Sequence, residues 1–368
     1  SGPDEGRVLS ETCCVELEYL IGRCGGGKSN GNNQRRCTGR RCIGGNRVER
    51  TEWRTCQRSE EKAGRSIHRK TGVSGEYSGK GNADAEDRLC VCHSAESDFA
   101  LLLDALESEL SAVGKQVLLC LSGDDAEREV AFMDMAKQNK VDGIIGVTYS
   151  KVEEERIENM AFVSIDRHYK SHIPCVAGDN WQGGWLAAEN LHKRGSTNLL
   201  CFMTMSSVDS EVRKRRVGFT EYCMEHDLSC NSVEMSEKQI VSVYESYGSR
   251  KLIHNMLRAY ISPSMGEHSI DGIFTSSDHL AMIVQEELEE MGKRVPEDIQ
   301  IIGYDGLQFL NQGKPIVSSI AQPVHEIAKE AVRCLNELIA NGKTEGNTKI
   351  PVSFQEGPTT KTLVTEEK

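Results

Sequence analysis

Nowhere in the 368 residues do eighteen apolar residues follow one another, so the chain lacks a stretch able to cross a bilayer as a helix. The first residues, Ser1-Gly2-Pro3-Asp4-Glu5-Gly6-Arg7, offer neither the basic start nor the apolar stretch of a secretory signal. The expectation is a cytoplasmic protein that does not engage membranes. Its 14 cysteines are numerous, but in a reducing compartment they are expected to remain thiols. No G-x-G-x-x-G follows an apolar strand, which removes the dinucleotide-dependent redox classes. No Ser/His/Asp or Cys/His set stands out, and the ten histidines are dispersed. A non-enzyme without cofactor or bound metal is therefore expected, with His168 and His172 as surface residues of a loop.

Periodicity is also missing from one part of the chain. Between Gly22 and Lys80 no apolar pattern of helix or strand period persists; glycine is dense, and arginine and cysteine are scattered. Such a segment buries too little to offset chain entropy, so residues 1–90 are predicted to be irregular or disordered. Gly22 to Ser29 spell G-x-x-x-x-G-K-S, the form of a phosphate-binding loop. That loop requires a following helix, and Asn30-Gly31-Asn32-Asn33-Gln34 breaks one, which disfavours a nucleotide site. Cys37, Cys42, Cys56 and His68 lack the tight paired spacing of zinc sites and read as unrelated. Charge is uneven: residues 1–88 hold 17 Lys+Arg against 13 Asp+Glu, the remainder 27 against 43. A basic front on an acidic body has the form of a nucleic-acid arm.

Residues 271–306 are the best-formed part. Ile273 and Phe274 make a short apolar strand ending in Thr275-Ser276-Ser277-Asp278, which suits a helix N-cap. Leu280, Ala281, Val284, Glu287 and Leu288 set a helical stripe with one polar slip, Gly292 stops it, and Ile299, Ile301 and Ile302 form a second strand. Strand, crossover helix and strand imply parallel pairing, with any ligand outside the strands' carboxyl ends. Asp278 stands there, at a helix N-terminus that favours negative charge.

The same alternation runs through the rest. Phe99–Leu110 reads as a helix, Gln116–Leu121 as a buried strand, Asp124–Lys140 as a helix, and Val141–Val147 and Phe162–Arg167 as strands. Such alternation implies parallel sheets covered by helices on both faces. Cys120, Cys175, Cys201 and Cys334 lie in apolar elements and read as core. Arg213 and Arg216 read as a solvated helix face.

The unit at 271–306, with its "S-S-D" and G-x-x-V-P-x-D-x-x-I-x-G-Y-D, resembles the effector-binding core of LacI/GalR-family repressors. Val176-Ala-Gly-Asp179-Asn180-Trp-Gln-Gly183-Gly184 is similar to that family's V-x-x-D-N-x-x-G-G crossing between lobes. Arg215 to Phe219 is similar to R-x-x-G-F, and Ser318 to Pro323 to T-T-V-x-Q-P. The resemblance spans roughly 100–360 and implies a two-lobe, periplasmic-binding-protein-like α/β fold. Lobe 1 would comprise 91–179 with the helix 324–342, and lobe 2 180–322 with 348–360. It further implies a homodimeric transcriptional regulator whose core binds a small sugar or polyol and thereby controls operator DNA. Asp166, Arg215, Asp278 and Gln322 are the implied effector contacts: carboxylates accept from hydroxyls, and a guanidinium fork donates.

The family's helix-turn-helix should occupy the irregular front. Reading the possible codons one nucleotide later permits M-x-T-I-K-D-V-A-R-A-A-G-V-S from Asn30-Gly31 onward, a family-like string. Several steps allow little choice: Trp53-Arg54 forces glycine, and Asn82-Ala83 allows only Met or Thr. Residues 1–29 then read as translated leader and 30 to about 95 as a DNA-binding domain in the wrong frame. The pocket loop between Cys92 and Phe99 is several residues shorter than the family's. The rival readings are a periplasmic-type sugar-binding protein, opposed by the absent signal and the recoverable helix-turn-helix, and a nucleotide-binding protein using Gly22–Ser29.

Overall fold

The structure, a computed structural model, describes residues 35–37, 40–42, 88–93 and 99–363, the last range with gaps at 123–124, 139–140, 148–156, 158–159, 170–172, 206–207, 237–238, 240–249, 262–268 and 308–313. The phosphate-loop, leader and shortened-pocket-loop expectations, most of the shifted-frame segment, and His172 fall outside the described residues. In the front segment, β1 (Arg35–Cys37) and β2 (Arg40–Cys42) form a small antiparallel hairpin.

From residue 88 onward the chain builds two six-stranded sheets. The first has the order β13-β7-β6-β5-β3-β4 and is wholly parallel. Its members are β3 (Arg88–His93), β4 (Gln116–Leu121), β5 (Gly143–Val147), β6 (Phe162–Ile165), β7 (Cys175–Gly178) and β13 (Thr348–Ile350). Because successive side chains point to opposite faces, Ile145 and Val163 pack under α1 (Phe99–Ala112) and α7 (Val324–Asn341). Their neighbours Ile144 and Phe162 pack on α2 (Ala126–Gln138) with Met133 and Ala136.

The second sheet has the order β14-β12-β11-β10-β8-β9, comprising β8 (Asn198–Met205), β9 (Ser229–Ser236), β10 (Gly272–Thr275), β11 (Gln300–Asp305), β12 (Ser318–Ala321) and β14 (Ser353–Gln355). Only β14 is antiparallel to its neighbour. Leu200, Phe202, Ile273 and Ile301 face α5 (Arg250–Ile261) and α6 (Asp278–Glu290). Leu199, Cys201, Phe274 and Ile302 face α3 (Asn180–Lys193) and α4 (Arg213–Glu225). The α3–α4 contact is backbone to backbone. A Cβ on Gly184 would stand 1.8 Å from the Arg215 carbonyl oxygen, and one on Gly218 1.9 Å from that of Trp181. Only glycine permits that approach.

The chain passes between the sheets at Gly178–Asn180 and at Ala321–Val324, as the sequence motifs imply. A third passage, between β13 and β14, alters the expected assignment of 348–360: Thr348–Ile350 pair with β7 of the first sheet, and only Ser353–Gln355 join the second. Another expectation also changes. Gln116–Leu121 is not a buried strand, for β4 is the sheet edge, with Leu118 and Leu121 at 38% and 49% exposure. The four cysteines read as core are all buried. Within α6, Ser277 caps the helix by accepting from the Leu280 amide at 3.2 Å, and Gly292 takes φ 75° beyond its end.

Candidate functional site

The carboxyl ends of β6, β7, β10, β11 and β12 carry a connected polar network. Asp166 follows β6 with φ 59°, a left-handed conformation that short acidic side chains tolerate better than most. It is 7% exposed, and burial raises its carboxyl above the ordinary 3.8, opposed by the Arg215 charge and by Asn180. The Asn180 amide reaches Asp166 at 3.5 Å and donates to the Gly178 carbonyl at 2.9 Å. Its oxygen accepts from Arg215 Nε at 2.6 Å. The sequence places Asn180 there because Asp179 caps α3, accepting from the Gln182 amide at 3.0 Å.

Arg215 is the centre of this network. It projects from the first turn of α4, is 5% exposed, and donates to the Ser276 carbonyl at 2.6 Å. Its Nη1 is 3.9 Å from Asp305 Oδ1, and its guanidinium carbon lies 3.5 Å from the Tyr304 ring centroid. Gln322 completes the line by donating to Asp305 Oδ1 at 3.0 Å. Asp166, Arg215 and Gln322 thus meet through two residues the sequence reading quoted in motifs but did not select, Asn180 and Asp305. Tyr304 was missed for the same reason. The signal lies in the D-N and G-Y-D motifs, but their convergence is a tertiary contact that neither motif encodes.

Asp278 has different neighbours. Its Oδ1 accepts from the Ser319 hydroxyl at 2.6 Å, and its Oδ2 from the Gly306 and Leu307 amides at 2.9 and 2.7 Å. At 1% exposure, it ties α6 to the turn after β11 and to β12. Gly303 makes room for it, since a Cβ there would fall 2.2 Å from Asp278 Oδ1.

Beside the network the two sheets are zipped together. The Glu211 amide donates to the Asp166 carbonyl at 2.9 Å, the His168 amide donates to the Asp209 carbonyl at 3.1 Å, and Arg167 bridges Ser210. Glu211 accepts from Lys214 Nζ at 2.5 Å, contacts His168 Nε2, and has Lys349 Nζ at 3.9 Å. Burial pushes its carboxyl up, but hydrogen bonds from Lys214 and His168 outweigh that and hold it below 4.5. His168 is therefore half-buried in a pair rather than a surface residue. Arg216 fits the solvated reading, pairing with Glu234 at 2.7 Å with its side chain 47% exposed.

Two α/β sheets, parallel except for β14 and joined by three passages of the chain, with a polar network at the carboxyl ends of their strands, define a two-lobed small-molecule-binding fold. Residues 188–360 match the family described as periplasmic binding protein-like domain. The chain is 31% identical over 262 residues to a sucrose operon repressor of Pediococcus pentosaceus, covering 70% of this chain and 76% of that one. It is 30% identical over 238 residues to a ribose operon repressor of Halalkalibacterium halodurans, covering 64% and 67%. A solved periplasmic binding protein/LacI transcriptional regulator from Alkaliphilus metalliredigens, complexed with D-xylulofuranose, superposes with TM-score 0.63 at 25% identity, covering 75% of this chain and all of that one. The chain belongs to the LacI/GalR family of transcriptional regulators. Its relatives are transcriptional repressors rather than enzymes. Among the described residues no helix is long and apolar enough to cross a membrane.

Proposed function

We propose that residues 91–360 bind a small sugar or polyol between two lobes, and that occupancy sets lobe orientation and so the affinity of a dimeric regulator for operator DNA. The observation carrying this reading is Arg215, a buried cation joined to Asn180, the Ser276 carbonyl, Asp305 and the Tyr304 ring where the two lobes meet. A planar face with fork donors, flanked by the carboxylates Asp166 and Asp305, suits a polyhydroxylated ring. Gln322 would hold Asp305 in place. Asp278 would act from behind, holding the 306–307 turn. The exposed leucines of edge strand β4 are suited to cover by a second copy of the chain. Action in the cytoplasm follows from the regulator reading.

The test is calorimetry of the purified chain against ribose, xylulose and sucrose. Saturable binding that weakens at least tenfold in Arg215→Ala supports the site; identical affinity for variant and parent overturns it. The front of the chain is proposed to derive from a shifted frame. The nucleotide sequence covering codons 30–95 tests that separately: a second frame without a helix-turn-helix-like string overturns it.

A further inference from the structure

The polar slip in the core-facing stripe of α6 is Glu287. It is 4% exposed, among the buried Leu280, Ala281, Ile283, Val284 and Leu288. A carboxylate in such surroundings requires a cationic or strongly donating partner. Facing it is His254, whose Nδ1 lies 3.1 Å from Glu287 Oε2. His254 is held there because Ile253, Leu257 and Ile261 anchor α5 against the same core. One turn beyond Glu287 comes Glu290, and one ligand atom from each of His254, Glu287 and Glu290 lies within 4.8 Å of the other two.

We propose that His254, Glu287 and Glu290 form a site for a divalent transition-metal cation of the zinc class, clipping α5 to α6. A cation with bonds of about 2.0–2.2 Å holds its ligand atoms roughly 3–4 Å apart. A rotamer adjustment of the exposed Glu290 supplies the remaining contraction. Two carboxylates and a neutral imidazole balance a double positive charge. The imidazole selects zinc, nickel or copper over magnesium and calcium, which prefer oxygen alone. Three protein ligands leave at least one position for water, on the side where Glu290 meets solvent. Arg250, paired with Glu286 on the same two helices, is the neighbouring cation with which the metal shares this acidic surface. The site lies on the face of the second sheet opposite α3 and α4, which carry Asn180 and Arg215. It is thus separate from the effector network, and its role is to fix α5.

The test titrates zinc chloride into chelator-treated full-length protein, followed by calorimetry, thermal melting and X-ray absorption. The expectation is one zinc per chain in a nitrogen/oxygen shell, a higher melting temperature with metal, and at least tenfold weaker binding in His254→Ala. Glu290→Gln, an exposed change that leaves the core intact, is expected to weaken binding by a similar factor. Sugar affinity should be equal with and without zinc. A sulfur shell would assign the metal to cysteines and overturn the proposal. So would absence of binding below roughly 100 µM, or a Glu290→Gln protein that binds zinc as the parent does.

Discussion

Arg215 lies over the Tyr304 ring with its guanidinium carbon 3.5 Å from the centroid, while its Nε donates to Asn180 at 2.6 Å. One side chain thereby fixes the start of α3, the end of β10 and the end of β11. Arg215→Ala should lower unfolding stability by about 3 kcal/mol, because Asn180 and the Ser276 carbonyl lose their charged donor and Asp305 its nearby cation. Arg215→Lys should recover little, since an ammonium cannot lie flat on the ring while also reaching both oxygens. Urea denaturation at neutral pH measures both.

Asp166 predicts a pH dependence of one sign. Burial, the largest influence, raises its carboxyl above 3.8 in the folded chain. The folded state therefore favours the protonated form. Its favourable contribution is complete below the unfolded value and is lost as pH rises through the folded one. Asp166→Asn keeps the shape and tolerates φ 59°. The variant should melt at a higher temperature than the parent at pH 7. The gap should shrink as pH falls toward 4, in melting curves recorded across that range.

Glu211 predicts the opposite sign. Its folded carboxyl lies below the ordinary glutamate value of 4.5, so its contribution is present above that value and fades as pH falls through the folded one. Glu211→Gln weakens the local bond from Lys214 and the contact with His168 that joins the two sheets. A loss of about 2 kcal/mol is expected at neutral pH. The deficit relative to the parent should vanish under acid conditions, again by urea denaturation.

Asp278 should act on stability and binding together. Asp278→Ala removes acceptors for Ser319, Gly306 and Leu307, leaving the Leu307 amide without its partner and the Gly306 amide with only the Ser319 hydroxyl. A cost of about 3 kcal/mol is expected, with effector binding abolished as the turn after β11 loosens. Ser319→Ala removes one of those bonds and should cost about 1 kcal/mol while retaining binding. Paired denaturation and calorimetry separate the two outcomes.

Local pattern by itself determined much of this protein. The apolar strand of Ile273 and Phe274, the Ser277 cap and the Gly292 stop define β10 and α6 within short windows, where hydrogen bonding and periodicity are local. The buried cysteines were legible in the same way, from the apolar elements around them, whereas the crossings at Asp179–Asn180 and Gln322–Pro323 were legible through the resemblance of their motifs to the family's. It could also have yielded α5, whose Ile253, Leu257 and Ile261 recur every fourth residue but were not read as a helix. β9 was not legible, because Ser229–Ser236 is an edge strand with little burial to impose alternation. Only the tertiary structure decided that β4 is an edge, that Thr348–Ile350 return to the first sheet, and that Asn180, Arg215, Tyr304, Asp305 and Gln322 converge. It also turned the Asp278 carboxylate toward Ser319 and the 306–307 amides. Sheet order and side-chain convergence depend on contacts between residues far apart in the chain, 35 positions for Asn180 and Arg215 and 172 for Thr348 and Val176, which no local pattern encodes.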